Sequence, residues 1–427
     1  MNLQQPELFA PPSSTSTGEP QDIETFAAGI RAFREFGKAT EVLTFPDERY
    51  PLPVFVNEFW TSRQRAAHSL HEVSYRACFK PQLPRFFIER LTVRGEVVYD
   101  PFMGRGTTVI EAALLGRRPV GCDINPLSRI LTAPRLRPPT VGEVAQRLAM
   151  LDLDGPAEVR EDLLVFYHPR TLVQVCNLRE YLLRREVDGE LDHVDDWIRM
   201  VATNRLTGHS RGFFSVYTLP PNQAVSVEAQ RKINARLGQV PPERDVKAII
   251  LWKTRSLLAR LTAADRPVLD EAAAEALLIT ASSDHTPQIR SDSVSLVVTS
   301  PPFLDTVDYQ ADNWLRCWFT GIDAAQVRVW CLRKPTDWQE AMTRTFREVR
   351  RVLRPGAFVA FEVGEVRGGS LLLETLVVPA AAEAGLEPAM VLVNDQAFTK
   401  TSNCWGVKNL QKGTNTNRIV LIVKPGP

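Results

Sequence analysis

The sequence predicts a doubly wound, mainly parallel α/β sheet with a helical insertion. Three observations carry this. Short apolar runs of strand character alternate with helix-period segments through Pro126, as parallel strands joined by crossover helices require. The same alternation resumes at Ala276-Leu277-Leu278-Ile279-Thr280. Between Arg137 and about Ala274 the period is instead helical, with few strand-like runs.

In chain order, residues 1–24 are rich in Pro, Ser, Thr and Gln and predict a disordered tail. Residues 25–136 form the first part of the sheet domain. Their opening stretch, Phe26 to Arg90, is mixed and mostly helical in pattern. Val97-Val98-Tyr99-Asp100 is strand-like and leads into Pro101-Phe102-Met103-Gly104-Arg105-Gly106. A helical pattern follows over Val109–Leu115, with Gly116 as its stop. Arg118–Asp123 is a second strand, ending in an acid. Arg137-Pro138-Pro139 marks a boundary, and residues 137–275 read as the insertion. Within it, Ser226 is placed to cap a helix. Ile249-Ile250-Leu251-Trp252 and Leu257-Leu258 fit one apolar helix face. Residues 276–427 return to the sheet, where Val294–Val298 reads as a buried strand.

Two strand ends carry chemistry. Gly104 and Gly106 permit positive φ and let the backbone approach a ligand closely. In dinucleotide folds an acid about 20 residues past such glycines holds the ribose hydroxyls, and Asp123 stands there. The third glycine of that fingerprint would fall at Val109 and is missing. Its absence favours a nucleoside ligand without a diphosphate over a nicotinamide dinucleotide; S-adenosylmethionine is the common one. The second strand end is Thr299-Ser300-Pro301-Pro302-Phe303. Its prolines lack N–H groups and fix φ, and each pushes the preceding residue out of the α region. The result is a stiff corner presenting a hydroxyl, a free carbonyl and an aromatic face. That set suits a flat heterocycle carrying an amino group.

Together these motifs resemble those of the DNA amino-methyltransferases that modify cytosine N4 or adenine N6. Asp100–Thr108 is similar to the family's cofactor motif and Thr299–Phe303 to its catalytic motif, in that order. Tyr75–Leu83 is similar to the segment that packs over the methionine end of the cofactor. Ser283-Asp284 occupies the place of the acid that reads the adenine amino group. Phe346–Gly356 resembles the late helix-turn and Thr416–Val423 the last strand. The resemblance implies a Rossmann-like methyltransferase fold, S-adenosylmethionine as cofactor and double-stranded DNA as partner, as in restriction–modification. It implies cofactor contacts from Tyr75, Lys80, Pro81, Asp100, Pro101, Phe102, Gly104, Gly106, Thr107, Thr108, Asp123, Ile124, Asp284 and Ser300. The same likeness gives the catalytic turn as Ser300, Pro301, Pro302 and Phe303, with no metal. Adenine enzymes of the family usually carry Asp or Asn where Ser300 sits, so serine favours cytosine N4. Phe303 departs from the commoner tyrosine, though stacking on a base needs no hydroxyl. Adenine N6 and an RNA amino-methyltransferase acting on guanine N2 are the alternatives, with a non-catalytic DNA-binding module opposed by the intact motifs.

The chemistry is consistent with those residue types. An exocyclic amine on cytosine is a poor nucleophile because its lone pair is delocalised into the ring. The Ser300 hydroxyl and the Pro301 carbonyl can each accept a hydrogen bond from it and bias the nitrogen toward a tetrahedral shape. Rate then comes from positioning and preorganised dipoles. A base inside a duplex must first be flipped out.

Overall charge does not announce a nucleic-acid binder, with 51 Lys and Arg against 50 Asp and Glu. The distribution says more. From Arg199 to Arg260 there are only three acids, Glu228, Glu243 and Asp245, against eleven Lys and Arg. That excess suits a phosphate backbone. Asn204–Phe214 combines glycines, short polar side chains and arginines, and Pro220–Ser226 adds two side-chain amides. Candidate DNA contacts are Arg205, His209, Arg211, Asn222, Gln223, Arg231 and Lys232, with Tyr309 beyond the catalytic turn. In the tail, Gln5-Pro6-Glu7-Leu8-Phe9 resembles the peptide by which bacterial proteins dock on the sliding clamp. The six cysteines have no metal-site or redox spacing. None follows a proline, which excludes the Pro-Cys nucleophile of cytosine C5 methylation. With no membrane-length apolar run and no signal peptide, a reducing cytoplasm, at the nucleoid, is the expected location.

Overall fold

The computed structural model describes residues 20–60, 67–75, 78–218, 224–304, 309–395 and 416–426. The chain opens with α1 (Ile23–Ala32), β1 (Glu41–Thr44), β2 (Pro53–Asn57) and α2 (Gln82–Leu91). Next come β3 (Val97–Asp100), α3 (Thr107–Leu114), β4 (Arg118–Asp123) and α4 (Leu127–Leu136). Six helices follow: α5 (Val141–Met150), α6 (Pro169–Val187), α7 (His193–Thr203), α8 (Val227–Leu237), α9 (Val246–Leu258) and α10 (Asp265–Glu275). The chain then re-enters the sheet with β5 (Leu277–Thr280) and β6 (Val294–Thr299), and passes through α11 (Tyr309–Thr320) and α12 (Pro335–Val352). It ends with β7 (Leu353–Val363), β8 (Glu365–Val366), β9 (Leu371–Leu372), α13 (Glu374–Glu383), β10 (Glu387–Asp395) and β11 (Thr416–Val423).

Nine of the described strands form one sheet in the order β1-β2-β10-β11-β7-β6-β3-β4-β5. Pairing is parallel from β7 through β6, β3 and β4 to β5, and between β10 and β2. It is antiparallel at β1/β2, β10/β11 and β11/β7. The predicted doubly wound, mainly parallel sheet is therefore present. Side chains of one strand alternate between faces. Tyr99 and Val297 point into a core with Phe346 of α12 and Val377 of α13. Their neighbours Val98, Leu296 and Val298 point the other way, into a core with Phe26 of α1 and Phe87 of α2. All six residues of β6 are buried, as a strand covered on both faces requires.

The stretch between β4 and β5 adds six helices, α5 to α10, to the crossover helix α4. Leu172, Trp197 and Ile250 of these helices share one core with Val109 of α3 and Leu131 of α4. The helical stretch is thus fused to the sheet's helix layer beside the glycine turn. No described helix is long and apolar enough to cross a membrane.

Two readings are corrected. The stretch Phe26–Arg90, expected to be mostly helical, contributes the edge hairpin β1/β2. Val54, Phe55 and Val56 are too short a run to show a period; pairing with β10 makes them a strand. Trp252 does not share the buried face of α9. Ile249, Ile250, Lys253, Thr254 and Leu257 form that face, while Trp252 is 55% exposed.

Candidate active site

The carboxyl ends of β3, β4 and β6 converge on one cleft, where open α/β sheets bind their ligands. It encloses about 620 Å³, counting space open to solvent. Tyr75, Cys78, Phe79, Phe102, Met103, Gly104, Thr107, Asp123, Asn125, Ser300, Pro302 and Val329 line it. The two motifs, about 200 residues apart in sequence, therefore meet, because β3 and β6 are neighbours in register.

The floor is the glycine turn. Gly104 and Gly106 hold φ of +48° and +74°. A Cβ at Gly106 would stand 2.4 Å from the Thr132 side chain, so only glycine fits. The Arg135 guanidinium, fully buried, donates to the backbone carbonyls of Leu70, Leu131 and Arg105. Arg105 donates to the Val73 carbonyl at 2.7 Å. These two arginines tie the turn to the segment carrying Tyr75, Cys78 and Phe79, which forms the facing wall.

Asp123 closes one end. Its carboxylate accepts from Gly104 N and Asn125 N, both at 2.9 Å. Burial raises its pKa, opposed by those N–H donors. Each oxygen keeps a lone pair and the group has no cation in contact among the described residues, so a ribose diol fits it. Asp100 lies beneath the floor: it accepts from Thr299 Oγ1 at 2.6 Å and from Phe102 N at 3.1 Å. Burial pushes its pKa up to about 7. Thr107 lines the cleft, whereas Thr108 is turned away and donates to the Val298 carbonyl at 3.0 Å.

Ser300 forms the other end. Its hydroxyl donates to Glu362 on β7. The register explains this: Thr299 pairs with Phe361, which brings Ser300 beside Glu362. Glu362 is buried and also accepts from Asn417 Nδ2 at 2.9 Å. Burial pushes its pKa up to about 7. The Pro302 carbonyl accepts from the buried Trp338 indole at 2.9 Å, which fixes the proline corner. Pro301 is buried and Phe303 is half-buried against the α12-side core.

Several expected contacts are placed elsewhere. Asp284 does not line the cleft; it is bound to Ser282 Oγ at 2.5 Å and to Arg344 of α12 at 3.3 Å. Asp100, Pro101 and Thr108 act under the floor rather than in it. Pro81 precedes α2 as its buried N-cap, and Ile124 and Lys80 are half-buried beyond the lining. Burial, then Arg105, lower the Lys80 pKa. Arg205 is only 6% exposed; its guanidinium lies 4.1 Å from the Phe213 ring centre and donates to the Asn204 carbonyl. That packing, not a free phosphate-facing position, is its place in the fold. His209 is half-buried against Phe213, whereas Arg211, Arg231 and Lys232 are exposed, Lys232 pairing with Glu228 at 2.8 Å. Asn222, Gln223, the side chain of Tyr309 and Gln5–Phe9 lie outside the described residues. Glu362, Met103, Asn125, Val329, and Trp330 packed on Phe102 at 6.0 Å, were missed. An acid inside the apolar run Phe358–Val363 was the available signal for Glu362.

A parallel sheet with a glycine turn and an acid at the next strand end defines a Rossmann-like methyltransferase fold. Residues 31–129 match the family model described as DNA methylase, for enzymes of the N6 and N4 type. The chain is 22% identical over 285 residues to the type II methyltransferase M.BsoBI of Geobacillus stearothermophilus, covering 61% of this chain and 54% of that one. It is 32% identical over 114 residues to the tRNA (guanine(10)-N2)-dimethyltransferase of Methanocaldococcus jannaschii, covering 24% of this chain and 32% of that one. Among solved structures, geranyl diphosphate C-methyltransferase of Streptomyces coelicolor A3(2), with S-adenosyl-L-homocysteine, aligns over 80% of this chain and 76% of that one. Identity there is 9% and the TM-score 0.32. The chain spans about half the length of M.BsoBI. The matched residues are thus similar to amino-methyltransferases, whose cofactor is S-adenosylmethionine.

Proposed function

We propose that this protein transfers a methyl group to the exocyclic N4 amine of a flipped-out cytosine in duplex DNA. One observation supports this above the rest: Ser300 lines the cleft beside Glu362, whose ionised carboxylate accepts the serine proton as a hydrogen bond. A hydroxyl that donates behind itself faces the cleft as an acceptor, and an amine brings donors. Bound over the glycine turn, S-adenosylmethionine supplies an electrophilic methyl group. Asp123 takes the ribose hydroxyls, and Tyr75, Phe79 and Phe102 wall the site. Ser300 Oγ and the Pro301 carbonyl accept the two amine hydrogens and direct the nitrogen lone pair. Glu362 then stands where a proton released from the methylated nitrogen can pass through Ser300 Oγ. Phe303 stacks on the base, and the helical stretch 137–275 carries target recognition.

Nucleosides from duplex DNA incubated with the protein and isotopically labelled cofactor, analysed by mass spectrometry, test this. Labelled N4-methylcytosine is expected. Labelled N6-methyladenine overturns the choice of base, and label found only in a competing RNA overturns the choice of nucleic acid.

A further inference from the structure

An exposed tryptophan on a helix without acids needs an explanation. From Val246 to Leu258, α9 carries Lys247, Lys253 and Arg255 but no Asp or Glu. Its outward face holds Ala248, Trp252, Arg255 and then Ala259, all exposed. A Cβ at Gly212 would lie 3.0 Å from the Trp252 ring, so the loop tip bearing exposed Arg211 sits against this tryptophan. Arg211 is also close enough to Arg244 to lower its pKa, after burial, and Arg244 Nε is buried without a hydrogen-bond partner. Nearby acids are already engaged. Lys253 and Ser256 hold Glu72 at 3.3 and 3.1 Å, and Arg170 holds Glu243 at 2.9 Å. Asp245 caps α9 through Ala248 N.

This surface borders the cleft. Glu72 is three residues before Tyr75 in the cleft wall, at most roughly 10 Å of extended chain. Asn204 Oδ1 accepts from Ser74 N at 2.7 Å and fixes the base of the Arg211 loop to the same wall.

We propose that the outward face of α9 and the Arg211 loop form the surface on which the duplex flanking the target base docks. Arg211, Arg244 and Arg255 take backbone phosphates, and Trp252 packs on an adjacent sugar. Charge complementarity argues for this occupant: Arg211, Arg244 and Arg255 outweigh the charge that the cap Asp245 keeps, and a polyanion with apolar sugar edges answers both them and the indole. The proposal rests on the reading of DNA as substrate.

Fluorescence anisotropy with a labelled random-sequence duplex tests it, across a salt series. The double variant R211Q/R255Q is expected to bind at least tenfold more weakly at low salt. Its salt slope should fall by about two, near one for each phosphate no longer neutralised. W252A is expected to weaken binding several-fold and leave the slope unchanged. Cofactor binding by calorimetry, unchanged in all variants, certifies the fold. If the wild type binds duplex and the variants match it in affinity and slope, the surface is wrong although the DNA reading stands. A wild type that binds the cofactor and RNA but no duplex overturns both.

Discussion

Replacing Glu362 by glutamine separates chemistry from folding at this site. In the wild type the carboxylate accepts from Ser300 and from Asn417 Nδ2. In E362Q, Asn417 still needs an acceptor and takes the amide oxygen. The amide NH2 then faces Ser300 and donates to it. The serine proton must turn into the cleft, where it opposes the amine hydrogens. Losing a hydrogen bond to a charged group costs about 1.5–3 kcal/mol, so methyl transfer should slow by roughly 10- to 100-fold. The pH profile is the sharper readout. With a pKa of about 7, the carboxylate is about one-tenth ionised at pH 6, so the wild-type rate should fall on the acid side of pH 7. E362Q should lack that limb. Stability moves the opposite way. The folded pKa is raised from 4.5 to about 7, so Glu362 favours folding below pH 4.5 and loses that contribution as pH rises through 7. The ceiling is about 3 kcal/mol. At pH 8 E362Q should therefore be slower yet more stable. Single-turnover transfer of labelled methyl from pH 5.5 to 8.5, with urea unfolding at pH 8, measures both. A glutamine variant that keeps the wild-type rate and its acid limb refutes the role given to Glu362.

Three further outcomes are expected. D123N removes the charged acceptor offered to the ribose, and calorimetry should show cofactor affinity reduced roughly 10- to 100-fold. G106A must place a Cβ at φ +74° and 2.4 Å from Thr132, which should cost about 2–4 kcal/mol in urea unfolding; adding T132A should return part of the steric share, since residue 132 keeps a Cβ 2.9 Å away, and leave the backbone share. D195A removes a fully buried carboxylate that pairs with Arg147 and with Arg185 at 2.8 Å, and should destabilise by about 3 kcal/mol, seen as a lower urea midpoint with no change in the cofactor affinity of the folded protein.

What was legible in the sequence was what local chemistry dictates. Gly104, Gly106 and Pro301-Pro302 constrain their own backbone, so the turns at the ends of β3 and β6 could be placed before any fold was known. The apolar run Val294–Val298 reads as a buried strand, and β6 is one. What was not legible depends on distant partners. β2 is a strand because β10 lies beside it. Glu362 matters because the β6/β7 register sets it against Ser300. Arg205 and Trp252 were misjudged in opposite directions for one reason: composition gives the character of a segment but not which side is covered. Phe213 covers the arginine, and nothing in the described structure covers most of the tryptophan.

Asp100 at the end of β3, Asp123 at the end of β4 and Glu362 on β7 are three carboxyls in or under one cleft, each with a pKa raised first by burial. Asp123 adds a further, lesser repulsive contribution at Asp100. A pocket with such a charge balance favours a cationic ligand over a neutral one of the same shape. A positive charge arriving nearby stabilises the ionised carboxylates and lowers their pKa values, so binding near pH 7 should release protons. The cofactor carries a sulfonium; its demethylated product, S-adenosylhomocysteine, carries a neutral sulfide. Calorimetry at pH 7 in buffers of different ionisation enthalpy should therefore find proton release for the first and markedly less for the second. E362Q should reduce the difference, since it removes one titrating group. Equal proton release for the two ligands would show that the carboxyls do not sense the sulfonium, and that their raised pKa values belong to the fold alone.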